Sequence, residues 1–133
     1  MNKNTVVTQL LDLWYQCIGP AHHKDRDCRF TININYCTYQ DIDYTVEHHG
    51  YILHRLPTFT TFKTLEEAEN YLVTLLTYGI LREVSHALEN HEDALDLSRE
   101  KAGEIKTKLY STLLPLDLEK QLDSARELGE TLI

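Results

Sequence analysis

The spacing of apolar residues changes period twice along this chain, and each change predicts a change of element. Val6, Val7, Leu10, Leu13, Trp14, Cys17 and Ile18 recur at helical spacing. That predicts a helix over 5–18, capped by Asn4 or Thr5 and stopped at Gly19-Pro20. The polar stretch AHHKDRD follows as a connector. From Cys28 the period falls to two. Phe30, Ile32, Ile34 and Tyr36 alternate with Thr31, Asn33, Asn35 and Cys37, so a strand with one apolar and one polar face is expected. Gln40-Asp41-Ile42-Asp43 reads as a turn. Tyr44–His48 and Tyr51–Arg55 read as a second and third strand around His49-Gly50, where glycine can take a positive φ. Pro57 ends the third strand or places it on an edge, and 58–62 is a short fourth.

Thr64-Leu65-Glu66-Glu67 has the form of a capping box, opening a helix that runs to about Asn90. Its stripe of Leu65, Ala68, Leu72, Leu76, Ile80 and Val84 is wide enough to need burial against a sheet. A helix over 92–114, a boundary at Pro115 and a last amphipathic helix over 116–132 complete the chain. The expected architecture is α+β in one domain spanning 1–133. An antiparallel three- to four-stranded meander is packed by an N-terminal helix and three C-terminal helices.

At 133 residues the chain can bury a core without metal or disulfide support. Its three cysteines, Cys17, Cys28 and Cys37, form no CxxC, and no secretion signal or membrane-spanning run is present. A reducing cytoplasm is the expected home. The net charge of −8 makes nucleic acid and membrane surfaces poor partners and a basic protein a good one.

Chemistry that would point elsewhere is sparse. The seven histidines include His86 and His91, five apart and therefore on different sides of a helix, and His48 and His49, facing opposite ways on a strand. They read as surface and turn histidines. No metal or cofactor is expected. The GxSxG, HExxH, GxxxxGK[ST] and GxGxxG signatures are absent, and no enzymatic activity is expected. Carboxylates, by contrast, cluster. Between Glu83 and Glu104 seven acids (Glu83, Glu89, Glu92, Asp93, Asp96, Glu100 and Glu104) face only Arg99 and Lys101. Any one of them is ordinarily a solvated helical charge. Together they form a surface able to steer a basic partner. The polar strand face adds Asn33 and Asn35, and the following turn and strand add Asp41, Asp43 and Glu47. Tyr39, Tyr44 and Tyr51 lie near turns, where rigid rings can anchor an interface.

The stretch YTVEHHGYILHR and the run from FKTLEEAENYL to LPLDLEKQL, about residues 44–122, resemble immunity family sixty-three of the bacterial polymorphic-toxin systems. Thr64 opens the helix, Tyr71-Leu72 stands at the aromatic pair, and Ser98-Arg99 leads the next helix. The resemblance implies a non-enzymatic protein that binds one cognate toxin and blocks its active surface. The expected docking residues are Asn33, Asn35, Asp41, Asp43, Glu47, Glu89, Glu92, Asp93, Asp96 and Glu100. The alternative expectation is a phage-encoded acidic inhibitor or DNA mimic, whose carboxylates are spaced like phosphates. A small enzyme or metal protein is the third class.

Overall fold

The computed structural model describes residues 3–25, 29–38, 41–49, 59–89 and 97–130. Helix α1 (Lys3–Asp25) leads into strands β1 (Arg29–Thr38), β2 (Asp41–His49) and β3 (Phe59–Phe62). Helices α2 (Leu65–Glu89), α3 (Arg99–Leu113) and α4 (Leu118–Glu130) follow, with a 3-10 turn at Leu114–Leu116. The fold is α+β, and its sheet has three strands in the order β1-β2-β3, antiparallel throughout. The third expected strand, Tyr51–Arg55, lies outside the described residues, and the fourth, expected over 58–62, is β3.

Three boundaries differ from the sequence reading. Helix α1 begins at Lys3, so Asn4 and Thr5 sit in its first turn, and it runs through Gly19-Pro20 to Asp25. A proline inside a helix removes one backbone donor and disfavours the helix without forbidding it. Three residues expected in the first turn are strand instead: Asp41, Ile42 and Asp43 belong to β2, with Asp41 opposite Thr38 and Asp43 opposite Asn35. Helix α3 starts at Arg99 because the Ser98 hydroxyl accepts from the Lys101 N–H at 3.1 Å and caps it there.

Thr64 caps α2 as expected, and Glu67 reaches back to its hydroxyl. The Glu67 N–H donates to the Thr64 hydroxyl at 3.1 Å, and that hydroxyl donates to the Glu67 carboxylate at 2.9 Å. Helix α2 is the hub, touching all three strands and α1, α3 and α4. Its first half lies on the sheet, where Tyr71 meets Phe62 with ring centroids 5.1 Å apart. Its second half meets α1, where Trp14 packs directly over Gly79. Trp14 also meets Phe30 edge to face, centroids 6.3 Å apart, which joins α1 to β1. The core runs through Leu10, Trp14, Val46, Leu76, Ile80 and Leu109.

The apolar face of the sheet is only partly roofed. β3 pairs with β2 no further than Phe62 opposite Tyr44, so the turn end of the β1–β2 hairpin projects beyond the third strand. Phe30, Ile32 and Tyr44 pack against the core. Ile34 and Tyr36, expected on the buried side, are 53% and 79% exposed. Leu65, expected in the α2 stripe, is also exposed.

Candidate functional site

Strand parity sends alternate side chains to the side of the sheet away from α2. Thr31, Asn33 and Asn35 of β1, Asp41, Asp43, Thr45 and Glu47 of β2, and Phe59 and Thr61 of β3 occupy that face. The β1–β2 register sets Asn35 opposite Asp43 and Asn33 opposite Thr45, and the β2–β3 register continues the second row to Thr61.

These side chains bind one another across all three strands. The Asn35 amide donates to Asp43 Oδ1 and to the Thr45 hydroxyl, each at 2.7 Å. The Thr45 and Thr61 hydroxyls lie 3.3 Å apart. The Cys37 thiol donates to Asp43 Oδ2 at 3.4 Å. Both oxygens of Asp43 are therefore held, and its charge stays fixed in direction on a half-buried strip. Asp43 raises the Cys37 thiol above the ordinary value, first through that hydrogen bond and further through its charge. A thiol so held is mostly protonated near neutrality and is a weak nucleophile.

The structure thus brings Asn33, Asn35, Asp41, Asp43 and Glu47 onto one surface. Asp41 and Asp43 are spaced about 7 Å apart along β2, as alternate strand residues must be. Phe59, opposite Glu47 in the register, stands 62% exposed on the same surface. Nothing in the sequence singled it out, because 58–62 reads only as a short strand. Glu89 and Glu100 lie elsewhere, exposed at the last residue of α2 and in the first turn of α3. Glu92, Asp93 and Asp96 fall outside the described residues, as do Tyr39 and Tyr51.

Two expectations are corrected. Glu83 is not a surface acid: it is 5% exposed, beside Cys17, and contributes after burial itself to pushing that thiol up to about 12. A signal was present, since Glu83 follows Ile80 by three and Leu76 by seven and so lies within the apolar stripe. His48 is likewise no surface histidine. It is 5% exposed, opposite Phe30 in the register, with ring centroids 6.2 Å apart. Tyr44 turns inward against the core, and among the described residues of the hairpin Tyr36 is the exposed tyrosine.

No family model, curated protein or solved structure matches the chain. Among the described residues no three His, Cys, Asp or Glu side chains gather as a metal site would need, and no helix is long and apolar enough to cross a membrane. An open groove of about 660 Å³ between α1 and α3 is lined by Thr8, Gln9, Asp12, Leu13, Thr107 and Ser111, among others. Its one carboxylate, Asp12, accepts from Gln16 at 2.8 Å. The sheet face away from α2 is the surface with fixed charge, exposed donors and acceptors, and an apolar ring in reach.

Proposed function

We propose that this chain is an immunity protein, of the kind family sixty-three typifies, that binds a cognate bacterial toxin in the cytoplasm and occludes its active surface without catalysis. The observation that carries the reading is the hydrogen-bonded strip Asn35–Asp43–Thr45–Thr61 across the face of the sheet away from α2. Binding surfaces gain when their polar groups are already held, because less side-chain freedom is lost on docking. Asp41 and Glu47 extend the strip along β2 as negative charge for a basic partner, and Phe59 adds the apolar ring that interface centres favour. The overall charge of −8 raises the rate of encounter with such a partner.

The test is co-expression with the product of the gene immediately upstream. A stable complex and protection of cells from that product are expected. The paired charge reversal Asp43→Lys and Glu47→Lys should weaken the complex by about 100-fold, or about 2.7 kcal/mol, with the circular dichroism spectrum of the free protein retained. No complex and no protection would overturn the immunity reading. Unchanged affinity in the reversed variant would remove the sheet face from it.

A further inference from the structure

We propose that the outer edge of β1 is a docking strand for a second copy of this chain. The inference is independent of what the sheet face away from α2 binds. Among the described residues nothing pairs with that edge, although β1 runs ten residues. Natural edge strands are normally guarded by charge, proline or brevity. β3, the opposite edge, is guarded by brevity at four residues. β1 carries no charge, proline or glycine from Phe30 to Thr38, in a chain that is 26% charged. It also carries the two exposed apolar side chains Ile34 and Tyr36.

A second copy fits this edge better than a foreign strand because the sequence is complementary to itself. Antiparallel pairing about a two-fold axis at Asn33 sets Ile32 opposite Ile34 of the second copy, Thr31 opposite Asn35 and Phe30 opposite Tyr36. Every apolar side chain then meets an apolar one and every polar side chain a polar one, on the correct faces. The paired span 30–36 is regular, because the break in register with β2 falls beyond it, between Tyr36 and Thr38. Electrostatics select the same strip. Two chains of charge −8 repel, and a nine-residue neutral segment is where their backbones can approach without bringing like charges opposite one another. The product is a continuous six-stranded sheet with both helical layers on one side.

Sedimentation of the purified full chain, with no other protein present, should give twice the 15.5 kDa chain mass at micromolar concentration. Asn33→Lys places two ammonium groups at the axis and should return the mass to a single chain, with the circular dichroism spectrum retained. Should that variant unfold, a second one decides. In a Cys28→Ser, Cys37→Ser background, Asn33→Cys sits opposite itself within disulfide reach, whereas Asn35→Cys sits opposite Thr31. Oxidation should cross-link the first far faster than the second. A single-chain mass for the natural protein, a dimer that survives a folded Asn33→Lys, or equal cross-linking of the two cysteine variants would each overturn the proposal. So would an edge that pairs only when a different protein is added.

Discussion

Adding one methyl group at Gly79 should destabilise the protein, although the same change at a free helical position stabilises. Alanine is the better helix former by about 1 kcal/mol, and an exposed mid-helix glycine is normally improved by it. At Gly79 the new Cβ would lie 2.9 Å from Trp14 Cζ3 and 3.3 Å from Cε3, inside van der Waals contact. The indole cannot swing aside, being 2% exposed and pinned by Phe30. Helices α1 and α2 must part instead, an overpacking cost of about 1–3 kcal/mol. The net expectation for Gly79→Ala is a loss of up to about 2 kcal/mol, or up to roughly 7 °C in Tm for a chain of this size. Gly103 of α3 is the internal control, since a Cβ there meets nothing within 4 Å. Gly103→Ala should gain about 0.5–1 kcal/mol. Urea unfolding followed at 222 nm measures both. A Trp14→Phe background withdraws the clashing indole atoms, and in it Gly79→Ala should turn from harmful to neutral or helpful. That is a coupling of about 2 kcal/mol between the sites. A Gly79→Ala protein as stabilised as Gly103→Ala, or a cost unaltered by Trp14→Phe, would refute the close approach of the two helices.

Two further predictions concern the thiols. Removing the acceptor with Asp43→Ala should lower the Cys37 thiol toward its ordinary value and speed its alkylation at pH 8; an unchanged rate would mean that the Cys37–Asp43 hydrogen bond is not formed in solution. Cys17 gives a stability signature at high pH. The folded chain keeps its proton to about 12, whereas the unfolded chain releases it near 9. The native state is therefore favoured fully below pH 9 and loses about 1.4 kcal/mol per pH unit above it. The stability difference between the natural protein and Cys17→Ala should shrink over that window, and a constant difference in paired urea titrations would contradict the burial of the thiol.

What could be read from the chain was what local spacing encodes. The pairing of Thr64 with Glu67 was legible because both partners lie within one helical turn. The strand 30–37 was legible from its alternation, and so was the grouping of Asn33 with Asn35 on one face. The link from Asn35 to Asp43 was not, because it depends on the hairpin register. Reading 40–43 as a turn displaces Asp43 from the strand altogether. Roofing was equally hidden. Alternation says that Ile34 and Tyr36 share a face with Phe30, but not that the helices stop short of them. Glu83 was misjudged because its charge outweighed its position in the stripe.

The meeting of Trp14 with Gly79 also sets the order in which the parts are tied down. Two residues separate β1 from β2 in the sequence, and α2 follows β3 almost at once, so these pieces find one another over short loops. Helix α1 must return across about 65 residues to reach Gly79, and each doubling of such a loop adds about 0.6 kcal/mol of closure entropy. Helix α1 is therefore a latch: beyond the contact of Trp14 with Phe30 it has little to hold until α2 has been synthesised, and its fit over a bare glycine fastens the ends of a long loop.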